Sequence, residues 1–254
     1  MRVIIEPDYQ KLSQWAANYV ASKINAANPT PEKPFVLGCP TGSSPLGMYK
    51  ALIELNKQGK VSFQNVVTFN MDEYVGLPED HPESYHTFMW KNFFNHIDIK
   101  KENVHILNGN ATDLEAECAN YEKQIAEIGG IDLFMGGIGP DGHIAFNDPP
   151  VAEFDDPAAV KVVALDEVCR NQQVHDGCFA DIGQVPTHAL TLTVPTLAGA
   201  KHHLCIVPAP TKAKAVRDTL EGPVSTACPA SILRTCPGAV LYLERESAQL
   251  LTEV

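Results

Sequence analysis

Short apolar, β-branched runs alternate with amphipathic stretches along nearly the whole chain, and this alternation constrains the fold more than any other feature. Runs at 3–5, 35–38, 66–70, 104–107, 131–135, 161–164, 189–194, 203–207 and 239–243 have the length and composition of strands. Between them lie helical patterns. Asp8 is placed to cap a helix in which Leu12, Trp15, Tyr19 and Ile24 share a face. Further helices are expected over 46–55, with Ser44 as cap and Pro45 at the first helical position, and over 84–95, 114–128 and 212–220. The segment from Asp72 to Ser84 reads as a loop. Strand–helix alternation of this kind predicts an α/β fold: a single-domain, Rossmann-like open sheet, mostly parallel, with helices on both faces. The acidic stretch 153–157 reads as a surface loop, so residues 1–254 are taken as one domain.

Composition narrows the function. Hydrophobic residues at 44% and charged residues at 20% are ordinary for a globular protein and exclude a disordered or fibrous chain. Acidic residues outnumber basic ones 31 to 19, a net charge of -12, which argues against a nucleic-acid partner. A small anionic ligand is still compatible, because it needs only a local nest of donors and a cation or two. No run approaches eighteen apolar residues, so no membrane partner is expected, and the opening residues lack a signal-peptide core. The seven scattered cysteines, without a CxxC, fit reduced thiols in a cytoplasmic protein. His202 and His203 read as the start of a strand, while Tyr85, Phe88, Met89 and Phe93 read as core.

In an open α/β sheet the ligand lies beyond the carboxyl ends of the strands. Four such positions carry chemistry. Thr41, Gly42 and Ser43, within PTGSSP at 40–45, offer backbone N–H groups and hydroxyls at a helix start, either a phosphate cradle or an ordinary capping turn. Asp72 and Glu73 follow a strand directly; a carboxylate drawn out of water there gains a raised pKa and can act as a base, whereas a solvated acidic loop is the plainer alternative. In the glycine-rich GGIGPDGHIAFND at 136–148, Asp141 and Asp148 can both reach His143, which favours an oriented proton-transfer group over a surface histidine. A metal is not expected, for want of further spaced ligands. Lys212 sits at a helix start, where it opposes the dipole unless an anion is bound. Arg170 is either a surface residue or a second phosphate ligand. His81 and His86 lie in and at the exit of a segment suited to a lid.

These residues belong to longer segments that resemble the glucosamine-6-phosphate deaminases: PTGSSP at 40–45, VVTFNMDEYVGLPEDHPESYH at 66–86, NFFNHIDI at 92–99 and GGIGPDGHIAFN at 136–147. The likeness is dense from residue 35 to 147 and thins to QVPTHALTLTV at 184–194, Lys212 and CPASIL at 228–233. It implies a cofactor-free conversion of glucosamine 6-phosphate and water to fructose 6-phosphate and ammonium. By that resemblance Asp72 takes the C2 proton, His143 with Asp141 and Asp148 opens the sugar ring, and Thr41, Gly42, Ser43 and Lys212 hold the phosphate. It is compatible with a homo-oligomer or a monomer. Three departures stand out. Asp148 replaces the usual glutamate. Gln172 and Gln173 stand where a phosphate-binding arginine is expected, with Arg170 as the candidate replacement. The Ser-Arg-Thr-Arg stretch linked to activation by N-acetylglucosamine 6-phosphate is absent, with 155–159 reading DDPAA and a short C-terminus, so such activation is not expected. The rival expectations are a 6-phosphogluconolactonase and a sugar-phosphate sensor without turnover.

Overall fold

The computed structural model describes residues 1–175 and 177–252, with the side chain of Gln172 excepted. Ten strands and seven α-helices follow in chain order among these residues. Strands β1 (Arg2–Glu6), β2 (Phe35–Cys39), β3 (Val66–Asn70), β5 (Val104–His105), β6 (Leu133–Gly136), β9 (His202–Val207) and β10 (Val240–Glu244) form one sheet in the order β1-β10-β9-β6-β2-β3-β5. Every pairing in it is parallel. From β2 the sheet extends through β3 to β5 on one side and through β6, β9 and β10 on the other, where β1, the first strand of the chain, forms the edge. The strand order thus reverses between β2 and β6, where an open α/β sheet forms a crevice.

Residues alternate strictly between the faces. Phe35, Leu37 and Cys39 of β2, with Leu133, Met135, Leu204 and Ile206, pack with α1 (Tyr9–Ala27), α2 (Leu46–Lys57) and α3 (Tyr85–Asn92). Val36, Val67, Phe69, Phe134, Cys205, Val207, Leu241 and Leu243 face the other way, against α4 (Leu114–Glu127), α6 (Val194–Ala198) and α7 (Ala213–Glu221). Period-two burial on both faces is what a helix-covered parallel sheet requires. Asp8 caps α1 as expected, its carboxylate accepting from the Lys11 N–H at 2.8 Å.

Several expectations are corrected. Trp15 is 53% exposed; the buried face of α1 includes Leu12, Ala16, Ala17, Val20 and Ile24, and the small side chains of Ala16 and Ala17 let the helix lie close to the sheet. Helix α2 begins at Leu46 with Pro45 as a cap that makes no side-chain bond, so Ser44 does not cap it. The strand after 66–70 is not followed by a plain loop: β4 (Asp72–Tyr74) pairs antiparallel with β8 (His188–Leu192), which pairs with β7 (Val160–Ala164). This second sheet, in the order β4-β8-β7, stands at the carboxyl end of the first. Val194 opens α6 and does not continue the strand, and α5 (Glu167–His175) was not anticipated. No helix among the described residues is long and apolar enough to cross a membrane, and all seven cysteines are free thiols.

Candidate functional site

The crevice is lined by loops leaving β2 and β6, with β4 beside them. The loop after β2 carries Thr41, Gly42 and Ser43, and Gly42 has φ +89°, a left-handed conformation suited to glycine. Two tyrosines hold this loop. Tyr49 of α2 donates to the Pro40 carbonyl at 2.6 Å, and Tyr9 of α1 accepts from Gly47 N–H at 2.8 Å while reaching the Ser44 carbonyl at 2.9 Å. With Pro45 at the helix start making no side-chain cap, Thr41, Gly42 and Ser43 form an exposed rim of small residues and backbone amides. Such an arrangement suits an oxyanion. A Cβ on Gly137, in the loop after β6, would come within 3.9 Å of Ser44 Cβ, so the cradle and the glycine-rich loop adjoin.

The glycine-rich loop holds His143 tightly. Its Nδ1 lies 2.7 Å from Asp141 Oδ1 and 3.1 Å from Asp148 Oδ1, so both carboxylates accept from the same ring nitrogen and Nε2 is the nitrogen left to act. Asp148 therefore reaches the imidazole directly in spite of its shorter arm. Burial disfavours the imidazolium, but hydrogen bonds to Asp141 and Asp148, together with their charges, outweigh it and raise His143 to about 9. Asp141 is driven the opposite way by the same partner. Gly139 lies against the ring, where a Cβ would stand 2.1 Å from His143 Cε1. Ala145 takes a left-handed φ of 51°, and Asn147 ties the loop to β8 by donating to the Ile144 and Leu192 carbonyls. Among the described residues, Asp141, His143 and Asp148 are the one trio of metal-type donors, lying within 4.8 Å of one another. Their separations are those of an imidazole hydrogen-bonded to two carboxylates.

Asp72, expected after a strand, lies on β4 and is only 7% exposed. Its Oδ1 meets no hydrogen-bonding partner among the described residues, nor do both side-chain atoms of buried Asn70 or the Asn147 Oδ1. Burial pushes the Asp72 carboxyl up to about 7; the charge of Glu73 adds to the rise and His143 opposes it. A carboxyl poised at neutrality is the form a general base takes.

Lys212 lies at the carboxyl end of β9, where a short 3₁₀ turn (Pro210–Lys212) leads into α7. Ala209 before it has φ +80° and donates its N–H to the buried Glu244 at 2.9 Å. Strained backbone at both Ala145 and Ala209 marks the ends of neighbouring strands around the crevice. Arg170, on α5, donates from Nη2 to the Ile182 and Val185 carbonyls at 2.6 and 3.0 Å, fastening the segment before β8, while its buried Nε meets no partner among the described residues. His86 pairs with Glu79 at 2.7 Å, His81 accepts from the Glu83 N–H at 3.0 Å, and His203 is buried against the Leu197 and Ala198 carbonyls. Sequence reasoning missed Tyr9, Tyr49, Asn70 and the bonding of Asn147. The one available signal was their nearness to the motifs, since tyrosines at helical spacing read as core.

Comparison with known proteins gives the family. A sequence profile described as glucosamine-6-phosphate isomerases/6-phosphogluconolactonase matches residues 7–242. The glucosamine-6-phosphate deaminase of Phocaeicola vulgatus is 74% identical over 225 residues, spanning 89% of this chain and 84% of the relative. The solved structure of a monomeric glucosamine-6-phosphate deaminase superposes with a TM-score of 0.92 at 41% identity, covering 99% of this chain and all of the other. A 6-phosphogluconolactonase from Thermotoga maritima shares the fold at 20% identity and a TM-score of 0.75, covering 96% of this chain and 99% of that one. The chain belongs to the glucosamine-6-phosphate isomerase/6-phosphogluconolactonase family.

Proposed function

We propose that the protein converts glucosamine 6-phosphate and water to fructose 6-phosphate and ammonium. The observation that carries this reading is geometric: a buried Asp72 with an unbonded carboxylate oxygen faces a site whose imidazole is held by two carboxylates, burial raising the first to about 7 and the carboxylates raising the second to about 9. At neutral pH the first is available as a base while the second is protonated and serves as an acid. Aldose-to-ketose isomerisation needs both. The His143 imidazolium gives a proton to the ring oxygen as the pyranose opens. Asp72 then removes the C2 proton, and its return to C1 gives the ketose imine, which water hydrolyses to the ketone and ammonia. Lactone hydrolysis asks for something else, a neutral histidine that activates water, and a histidine held at about 9 is poorly suited to that task.

Thr41, Gly42, Ser43 and Lys212 are the proposed phosphate ligands: the loop supplies donors, and the lysine supplies the charge that justifies its place at a helix start. Arg170 is the proposed second phosphate ligand: its Nη2 is held by carbonyls, and its buried Nε meets no partner among the described residues. Residues 1–254 are proposed to act as one domain. Seven free thiols and the phosphorylated substrate favour the cytoplasm as the place of action.

The experiment is ammonium release from glucosamine 6-phosphate, with 6-phosphogluconolactone as a parallel substrate. Lactone hydrolysis without ammonium would move the protein to the rival activity, and binding of the amino sugar without turnover would make it a sensor. Two further results are expected. The kcat/KM profile is a bell, rising through about pH 7 as Asp72 ionises and falling through about pH 9 as His143 loses its proton. A profile with no limb near neutrality would remove Asp72 from the base role. Rates against substrate are hyperbolic and unchanged by N-acetylglucosamine 6-phosphate, because 155–159 reads DDPAA and Asp156 is engaged internally, bonded to Lys161 at 2.6 Å. A sigmoidal curve made hyperbolic by the acetylated sugar would overturn this.

A further inference from the structure

Beside the base stands a second buried carboxylate for which the reaction so far has no use. Glu73 is only 5% exposed. Successive side chains of a strand point to opposite faces, so Glu73 leaves β4 on the side away from Asp72. There it accepts three backbone N–H bonds: Oε1 from Tyr74 at 2.9 Å and Tyr85 at 3.0 Å, Oε2 from His86 at 2.9 Å. Tyr85 and His86 open the first turn of α3, whose start is also capped by Ser84, its hydroxyl accepting from the Thr87 N–H at 3.0 Å. The carboxylate therefore bridges both ends of the 75–84 segment, one peptide unit from the base.

We propose that Glu73 is a positioning residue for the reaction, a buried anion pinned between β4 and the first turn of α3 that registers Asp72 on the site and imposes its charge on it. The proposal rests on the deaminase reading and extends it. Burial raises the Glu73 carboxyl above its ordinary value, and the three N–H donors oppose that rise by favouring the ionised carboxylate. Asp72 has no such support: one of its oxygens is bonded to nothing among the described residues. Its placement is therefore set by the strand, and its acidity by burial first and then by the charges around it. Those charges are few. Glu73 acts from the same strand, and His143 acts from the loop after β6 with the opposite sign. The phenols of Tyr49, Tyr74, Tyr85 and Tyr121 and the thiol of Cys169 also feel Asp72, but burial raises each of them and keeps them neutral across the working range. Glu79, facing Glu73 from the 75–84 segment, pushes Glu73 the same way that burial does. Its own carboxylate is paired with the His86 ring.

The test is Glu73→Gln beside Glu73→Asp, read by pH profile and by the carboxyl ¹³C titration of Asp72. Glu73→Gln removes the charge and keeps an acceptor. It is expected to move the acid limb of kcat/KM down by about one pH unit, the effect of one unit charge about 10 Å away, across the strand, in a partly polar interior. Glu73→Asp retains the charge and should return the limb to within a few tenths of a unit of wild type, although its shorter arm lowers the melting temperature. A limb that does not move in Glu73→Gln, with activity reduced equally at every pH, makes the residue merely structural and overturns the proposal. If the wild type releases no ammonium at any pH, the deaminase reading fails; the ¹³C titration of Asp72 in the two variants then decides the charge argument independently.

Discussion

Asp72→Asn is expected to lower kcat/KM by 10²–10⁴-fold and at the same time to stabilise the protein. The first effect is the ordinary cost of removing a general base. The second follows from linkage. The folded protein holds a proton on Asp72 up to about pH 7, whereas an unperturbed aspartate releases it near 3.8. Between those values the folded state binds more protons than the unfolded one, so stability falls as pH rises, by about 1.4 kcal/mol per unit. Across the interval the ionised carboxylate costs on the order of 4 kcal/mol, a cost fully present only above the folded pKa. Asparagine has no charge to bury. Its melting temperature should exceed that of wild type by about 5 °C or more at pH 8 and by little at pH 4.5. Thermal melts at the two pH values check this; a variant equally stable or less stable at pH 8 would show that Asp72 is not held in a strained environment.

Gly139→Ala is the second large effect. A Cβ at this position would fall 2.1 Å from His143 Cε1 and 2.2 Å from Nδ1, so the imidazole must move. Moving it breaks the 2.7 and 3.1 Å contacts with Asp141 and Asp148 that hold the ring oriented and protonated. Turnover of the amino sugar should fall by at least 10²-fold, approaching the loss in His143→Gln. The basic limb of the pH profile should also shift downward as the carboxylates lose their hold. The core is untouched by this change, so the melting temperature should stay within a few degrees of wild type. Near-normal activity would mean that the ring orientation seen here is not the one the reaction uses.

Much of this architecture is written in the sequence. Strands such as Phe35–Cys39 are apolar over their whole length because both faces are covered, and that pattern has few other readings. The glycine-rich loop was equally legible, since Asp141 and Asp148 flank His143 at spacings that let one ring nitrogen meet both. What the sequence concealed was β4. Three residues with two adjacent carboxylates give no strand signal, and only the long-range pairing of Asp72 with Thr191 and Tyr74 with Ala189 makes them one. Burial of Glu73 was hidden for the same reason: its donors are backbone groups twelve and thirteen residues away. Arg170 shows a different limit: the carbonyls at 182 and 185 to which its Nη2 donates carry no sequence signature.

Met71 alone separates β3 of the large sheet from β4 of the small one, and its carbonyl accepts the Leu192 N–H at 2.8 Å. In mechanical terms the joint is clamped and not hinged: Val160, Leu190 and Leu192 of the small sheet share one buried core with Tyr121 and Ile125 of α4, the Phe146 N–H donates to the Thr191 hydroxyl at 3.1 Å, and Asn147 donates to the Leu192 carbonyl at 2.8 Å. Asp72 and the glycine-rich loop that carries His143 are thereby tied to one frame.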